Sequence, residues 1–265
     1  MINKKQISSA LALSCVEYYF LPWISQFYPV EKLYVQSFVP LKQLFDDFSR
    51  GNRYETYTQI PRIQDTAEQF GIIKHTFTPA TIHHAADMIS GQGENELCLI
   101  RVNNEFMSDY KRKPWREDHY ICVDRDLNWV NEYPLSDGTL NTKKFMQSYD
   151  GAVLLFGLQN MRNVSDNEVS QQLRCQNFEN IEPNIGLDKF EEALGVLRVS
   201  RKRLGKLYAD QTEVQNLFYK ENSLLDKLYF SIRLQRIKRR GNESELYGGV
   251  NQIIAIEKAI AEVLK

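Results

Sequence analysis

The stretch "SSALALSCVEYYFLPW" (residues 8–23) poses the first question about the fold, because two interpretations compete for its cysteine, Cys15. Cys15 is either the lipid-attachment residue of a lipoprotein signal or a thiol at the start of a folded helix. A secretory signal needs about 7–15 uninterrupted apolar residues, and Ser8 and Ser9 interrupt the run here. The apolar residues that follow recur at helical spacing: Val16, Tyr19, Phe20 and Trp23. This stripe predicts an amphipathic helix that packs on a core, with Ser14 as its N-cap.

The composition is that of an ordinary globular chain. It has 265 residues, of which 43% are hydrophobic and 25% charged, enough for one large domain or a core domain with an appendage. The net charge of −1 gives no general reason to expect binding to nucleic acid or an anionic membrane. No stretch approaches the roughly 20 apolar residues of a membrane span. The four cysteines show no CxxC pair and no metal-ligand spacing, so we expect a cytoplasmic protein without a metal.

The pattern of apolar residues changes once along the chain. Up to residue 158, short helices alternate with segments rich in β-branched and aromatic residues, which predict strands. These segments are 72–77, 96–102, 119–124, 127–133 and 152–158. A polar, Asn/Gln-rich stretch follows at 159–185, and residues 186–265 contain only helical periodicity. The sequence therefore predicts an α+β domain at 1–158, a linker at 159–185 and a helical domain at 186–265.

The chemistry of a thiol nucleophile narrows the candidate site residues. Such a thiol needs a base within hydrogen-bond reach and a third group that orients the base. A helix N-terminus also lowers the thiol pKa, which favours Cys15. Among the four histidines, His119 begins a predicted strand that a short turn joins to "WVNEYP", so Asn131 and Glu132 lie on the neighbouring strand. Because side chains alternate along a strand, we expect only one of these two to share the face of His119.

A cysteine on an early helix, then a histidine on a strand, then Asn, Asp or Glu on the next strand is the chain order of papain-like enzymes. The spacing alone is also compatible with a plain core cysteine and a structural histidine. The likeness to papain-like enzymes implies an oxyanion glutamine about six residues before the cysteine, where this chain has Ser9. The oxyanion hole is then either formed by backbone N–H groups or incomplete.

Residues 96–140 resemble the core of the butirosin-biosynthesis-protein-H-like family of papain-like proteins, which is associated with antibiotic and nonribosomal peptide clusters. The matching parts are "LCLIRV", "NNEFMSDY", "DHYICV", "WVNEYP" and "SDGTL". The C-terminal "LRVSRKRLGKLYADQ" is similar to the helical extension of these proteins. The resemblance implies a papain-like fold, with Cys15 as nucleophile and His119 as base. It implies Glu132 as the third member, with Asn131 as the neighbour that could be mistaken for it.

The resemblance also implies the reaction. An acyl or aminoacyl group would pass from a carrier-protein thioester to a small-molecule amine through an acyl-cysteine, in secondary-metabolite biosynthesis. No cofactor is expected beyond the phosphopantetheine that tethers the substrate. Two alternatives remain: a cysteine hydrolase or peptidase on the same scaffold, and a non-catalytic accessory protein of an assembly line. Basic clusters at 198–206 and 233–240 are either solvated helix faces or a dock for an acidic carrier protein.

Overall fold

The computed structural model describes most of the chain. The described residues are 11–12, 14–51, 63–79, 81–103, 119–132, 135–140, 143, 149–162, 167–176, 178–179, 185–238 and 243–264. Most of the "NNEFMSDY" motif and the end of the second basic cluster, Arg239 and Arg240, lie outside them. All four predicted site residues lie within the described ranges.

The chain divides into two compact units whose bounds differ from the predicted domains. One unit comprises residues 1–30 and 64–163, and the other comprises residues 31–63 and 164–265. The helical unit therefore includes an N-terminal segment that the sequence assigned to the α+β domain. The reason is packing, since Phe45 in this segment lies 5.2 Å from Phe190 between ring centroids. The predicted linker also contains a helix, Asn167–Cys175, whose Val169 and Leu173 are buried.

The α+β unit is built on a six-stranded antiparallel sheet. Its strands are β1 (Ile72–Phe77), β2 (Leu97–Val102), β3 (His119–Val123), β4 (Asn128–Glu132), β5 (Leu135–Thr139) and β6 (Tyr149–Leu158). They lie in the order β1–β6–β2–β3–β4–β5, and every neighbouring pair is antiparallel. The five predicted strands are confirmed as β1, β2, β3, β4 and β6. The sixth, β5, has the sequence "LSDGT", which lacks the apolar alternation that predicts a strand.

Two helices cover the two faces of this sheet. On one face, α1 (Cys15–Ile24) places the Phe20 ring 5.1 Å from the Phe156 ring of β6. On the other face, Ile89 of α3 (Ile82–Ser90) packs in one apolar cluster with Ile121. Full burial of an aromatic or branched side chain contributes about 1.5–3 kcal/mol. The α1 packing therefore fixes the helix that carries Cys15 against the strands.

The second unit is helical. Its helices are α2 (Leu41–Ser49), α4 (Asn167–Cys175), α5 (Leu187–Leu207), α6 (Thr212–Lys238) and α7 (Glu243–Val263). The last three confirm the predicted helical C-terminal region. A 3₁₀ segment at Val30–Ser37 begins this unit; of two others, Ala67–Phe70 lies in the α+β unit and Ile63–Asp65 spans the boundary. Within the described residues, no helix is both long enough and apolar enough to cross a membrane.

A buried ionic cluster connects the helices of this unit. Arg201 of α5 is fully buried and donates from Nε to Glu257 of α7 at 2.8 Å and to Glu221 of α6 at 3.2 Å. Its Nη2 donates to the Val39 carbonyl at 2.7 Å. Burial and the neighbouring Glu257 hold the pKa of Glu221 well above its usual range, although Arg201 opposes the shift. Part of the basic cluster at 198–206 is therefore interior structure and not a solvated face.

Candidate functional site

The helix start predicted for Cys15 is confirmed. Ser14 has extended backbone (φ −148°), and its Oγ accepts a hydrogen bond from the Glu17 N–H at 3.2 Å, which caps α1. Cys15 is the first residue of α1 and is half-buried. The positive end of the helix dipole favours a negative charge at this position. The local sequence thus places a thiol where a thiolate is stabilised.

The β3–β4 hairpin positions the residues opposite the thiol. Asp124 Oδ1 accepts from the backbone N–H groups of Asp126 at 3.0 Å and Asn128 at 2.8 Å. Leu127 adopts a left-handed φ of 61°, which costs about 1–2 kcal/mol for a residue with a Cβ. The hydrogen bonds to Asp124 stabilise this tight turn. The turn fixes the register in which β3 and β4 pair, from Val123 opposite Trp129 to Cys122 opposite Val130.

The structure brings the predicted site residues together. Cys15 Sγ, a ring nitrogen of His119 and a carboxylate oxygen of Glu132 all lie within 4.8 Å of one another. His119 Nε2 lies 2.7 Å from Asn131 Oδ1 and 3.7 Å from Glu132 Oε2. The His119 and Glu132 side chains are 5% and 7% exposed, so the site is shielded from water while Cys15 keeps partial access.

Both Asn131 and Glu132 approach His119, although only one was expected to do so. The strand register places Asn131 on the sheet face of His119, together with Ile121. Glu132 points to the opposite face, where α1 packs. It still reaches the ring because His119 is the first residue of β3 and Glu132 is the last residue of β4. Strand alternation alone left the choice between the two residues open. The hydrogen bond is to Asn131 and not to Glu132, which the resemblance implied, and Glu132 makes a second, longer contact around the strand ends.

Tyr19 contacts the site residues, whereas the sequence places it only in the apolar stripe of the helix. It is fully buried one helical turn after Cys15. Its hydroxyl donates to Glu132 Oε2 at 2.6 Å and accepts the backbone N–H of Glu132 at 3.0 Å. Burial raises the pKa of Glu132, while His119 and the Tyr19 hydrogen bond oppose the rise. Burial likewise holds the pKa of Tyr19 well above its usual range, so the hydroxyl remains a donor. Its position four residues after Cys15, on the same side of the helix, is the sequence feature that could have indicated its place near the site.

Gln64 supplies a side-chain amide at the N-terminus of α1. It is 4% exposed, and its Nε2 donates to Ser14 Oγ at 3.4 Å. Its Oε1 is buried and has no hydrogen-bond partner among the described residues. No glutamine stands six residues before the cysteine, but Gln64, about 50 residues later in the chain, places its amide beside Ser14 at the start of α1. Sequence separation hid this residue, because only the folded chain brings it beside Ser14.

The other histidines and cysteines lie apart from this chemistry. His75, His83 and His84 are exposed. Cys98 and Cys122 are buried in the sheet, where burial raises their pKa, that of Cys122 to about 12. Cys175 is exposed on α4. Within the described ranges, Cys15 is therefore the one cysteine that shares a site with a histidine and a carboxylate.

Cys15, His119 and Glu132 could also hold a metal ion. A thiolate, an imidazole and a carboxylate are the ligand types that zinc takes in proteins. They lie close enough here for a divalent cation to compete with the thiol chemistry. Metal content is for this reason a control in the experiments below.

Comparison with known proteins leaves the site to be interpreted on its own geometry. No protein-family model matches the chain. A search of curated proteins finds no significant match either.

Proposed function

We propose that the protein is a papain-like cysteine acyltransferase that moves an acyl or aminoacyl group from a carrier-protein thioester to an amine. The observation that carries the proposal is the approach of Cys15 and His119 within 4.8 Å at a capped helix N-terminus. The 2.7 Å contact from His119 to Asn131 adds the third group that orients the base. The resemblance of residues 96–140 to butirosin-biosynthesis-protein-H-like proteins supports the donor and the acceptor classes.

Proton transfer follows from the side-chain contacts. When His119 Nε2–H donates to Asn131 Oδ1, the lone pair of the neutral ring is on Nδ1, which takes the Cys15 proton. The thiolate attacks the thioester carbonyl of the carrier. The bond between the carbonyl carbon and the phosphopantetheine sulfur breaks, and that sulfur leaves with the proton from His119. Acyl-Cys15 and the free carrier thiol are the products of this half-reaction.

The second half-reaction consumes the acyl-enzyme. The amine acceptor attacks the carbonyl of acyl-Cys15, and His119 takes the proton that the amine loses. The carbon–sulfur bond to Cys15 breaks, and the thiol regains the proton from His119. Backbone N–H groups at the start of α1, together with Gln64 Nε2, are the proposed donors to the oxyanion of both tetrahedral intermediates.

The burial of the base limits the access of bulk water to the site. Asn131 is 1% exposed and His119 is 4% exposed, so few water molecules can approach the ring. Exclusion of water suppresses hydrolysis of a reactive acyl intermediate. A cysteine hydrolase on the same scaffold would form the same intermediate, and the acceptor experiment separates the two.

The test is covalent capture. The purified chain is incubated with an acyl-loaded carrier protein from its own gene neighbourhood, in EDTA, and its intact mass is measured. We expect an acyl adduct that Cys15→Ala abolishes and His119→Ala slows. Cys175→Ser is the matched control, because it removes an exposed thiol outside the site.

Each other outcome contradicts the proposal in a specific way. An adduct that breaks down at the same rate with and without an amine indicates a hydrolase. Equal behaviour of the unmodified chain and Cys15→Ala indicates an accessory protein without thiol chemistry. Activity that EDTA removes and zinc restores indicates metal chemistry at the same three groups.

A further inference from the structure

The outer face of α6 carries a row of large apolar side chains in contact with solvent. Tyr219, Phe230, Leu234 and Ile237 are 59%, 56%, 54% and 69% exposed. They are 11, 4 and 3 residues apart, which is about three turns, one turn and one turn of helix. They therefore lie on one side of α6, opposite its buried residues. We call these four residues the outer α6 face. Exposed apolar groups in such a row indicate an interaction site.

Positive charge accompanies this face. Lys220, Lys227 and Lys238 are exposed, and none forms an ion pair within the part of the chain that the structure describes. On α6 itself, the acid on this side, Asp226, is already paired with Arg198 at 2.6 Å, and Glu245 of α7 accepts a hydrogen bond from Ser231 at 3.2 Å. Glu221, the other described acid between Tyr219 and Lys238, is buried. The outer α6 face is thus apolar, and the lysines beside it form no ion pair with the described residues.

A second copy of the chain fits this pattern poorly. Two α6 helices packed in parallel would place each lysine beside its own equivalent. Packed antiparallel about the centre of the face, they would place Lys220 beside Lys238 of the other copy. Both arrangements oppose like charges at an interface, which is destabilising.

A lipid surface also fits poorly. Between Tyr219 and Phe230 the outer side of α6 carries Ser223 and Lys227 and no large apolar side chain that is exposed. A membrane-bound helix buries a continuous apolar face in the acyl region. A protein partner can leave such polar groups at a wet rim.

We propose that the outer α6 face is the docking surface for the acidic carrier protein. The identity of the partner rests on the proposed function, whereas the surface rests on the exposure and charge of α6 itself. Carrier proteins are acidic helical bundles, so an apolar helix face of the carrier would cover Phe230, Leu234 and Ile237. Carboxylates beside that helix would pair with Lys220 and Lys227.

The test measures binding without catalysis. The dissociation constant of the holo carrier protein is determined for the full chain carrying Cys15→Ala, by calorimetry at 50 and 300 mM salt. One variant removes the apolar contacts (Phe230→Ser, Leu234→Ser and Ile237→Ser), and one reverses the charge (Lys220→Glu and Lys227→Glu). Matched controls are Phe27→Ser, at an apolar residue 40% exposed elsewhere, and Lys258→Glu, at an exposed lysine of α7.

We expect the apolar variant to weaken binding at least about tenfold. We expect the charge variant to weaken it mainly at low salt and to flatten the salt dependence. Circular dichroism and melting temperature should match the parent, and the controls should bind as the parent does. Equal affinity of parent and face variants, or no binding of the carrier at all, overturns the proposal.

The remaining outcomes identify a different partner for the outer α6 face or distinguish the docking proposal from the proposed acyl transfer. Binding to phosphatidylglycerol vesicles that the apolar variant loses would assign the face to a membrane. A dimer, by light scattering, that the same variant dissociates would assign it to a second copy. An acyl adduct with unchanged affinity in the face variants leaves the proposed function standing and refutes the docking surface. Carrier binding that the face variants weaken, without any acyl adduct, supports the docking surface and refutes the proposed function.

Discussion

The choice between Asn131 and Glu132 as the group that supports His119 can be decided by one pair of substitutions. Asn131 Oδ1 is at hydrogen-bond distance from His119 Nε2, 2.7 Å, whereas Glu132 Oε2 is at 3.7 Å. Asn131→Ala deletes the hydrogen bond and leaves the charge. Glu132→Gln removes the charge and keeps the shape. The two variants therefore test orientation and electrostatics separately.

The geometry gives the magnitude of each effect on the thiolate–imidazolium pair. A hydrogen bond to a charged donor contributes about 1.5–3 kcal/mol, so losing Asn131 should lower the pair's population about 10- to 100-fold. The Glu132 carboxylate attracts the imidazolium by about 4.5 kcal/mol at 3.7 Å, for an effective dielectric constant of 20. It also repels the Cys15 thiolate, at a distance of up to 4.8 Å, by about 3.5 kcal/mol. The two terms nearly cancel, so Glu132→Gln should change the population by no more than about tenfold.

Alkylation of Cys15 by iodoacetamide at pH 7 measures this population, because the thiolate is the reactive form. The background is Cys175→Ser, which removes the exposed thiol, and burial keeps Cys98 and Cys122 slow. Intact mass then follows one cysteine. Wild-type rates for Asn131→Ala would refute the orienting role of its hydrogen bond. A larger decrease in alkylation rate for Glu132→Gln than for Asn131→Ala would refute the argument that the two electrostatic effects of Glu132 nearly cancel.

Three further outcomes follow from other contacts. Tyr19→Phe removes the hydroxyl that bonds both the backbone N–H and the carboxylate of Glu132. The free energy of unfolding, measured in urea, should therefore fall by about 2–4 kcal/mol. An unchanged unfolding midpoint would contradict a stabilising role for these two hydrogen bonds. Gln64→Ala should lower the rate of acyl-enzyme formation about 10²-fold with little change in carrier affinity if Gln64 binds the oxyanion, and equal rates would exclude it. The raised pKa of Glu221 means that the folded state holds more protons than the unfolded state above pH 4.5, so stability falls as pH rises. Glu221→Gln should have a higher melting temperature than the parent at pH 8, because Glu257 still pairs with Arg201. Its melting temperature should also depend less on pH. A stronger dependence on pH would contradict the raised pKa of Glu221.

The sequence predicts those parts of the fold that depend on local pattern. The apolar stripe after Cys15 and the cap at Ser14 are visible in a window of ten residues, and α1 begins where they indicate. The chain order of cysteine, histidine and Asn131 or Glu132 identifies residues that the sheet then gathers. The prediction of α1 succeeds because capping and periodicity act within one or two turns of chain.

The parts that sequence reasoning missed depend on distant contacts. Gln64 contacts Ser14 across about 50 residues of chain, and Arg201 belongs to a basic run but pairs in the interior with Glu257 of another helix. The segment at 31–63 joins the helical unit through aromatic packing that no local pattern announces. Strand alternation left open whether Asn131 or Glu132 shares the face of His119, and the resemblance implied Glu132. The structure places both near the ring, because alternation does not constrain a long side chain at a strand end.

In the proposed acyl transfer, acylation of Cys15 would change the balance of charges around Glu132, and the carboxylate would then act mainly in the second half-reaction. In the free enzyme its attraction for the His119 imidazolium is offset by repulsion of the thiolate. In the acyl-enzyme the sulfur is neutral, so only the attraction remains as His119 takes the amine's proton. This attraction, about 4.5 kcal/mol at 3.7 Å for an effective dielectric constant of 20, would then favour aminolysis above the raised pKa of Glu132. Glu132→Gln should therefore slow aminolysis of a preformed acyl-enzyme by at least about 10²-fold while acylation changes little, in single-turnover measurements at pH 8. Equal slowing of both half-reactions would show that Glu132 acts only by holding the structure, through Tyr19.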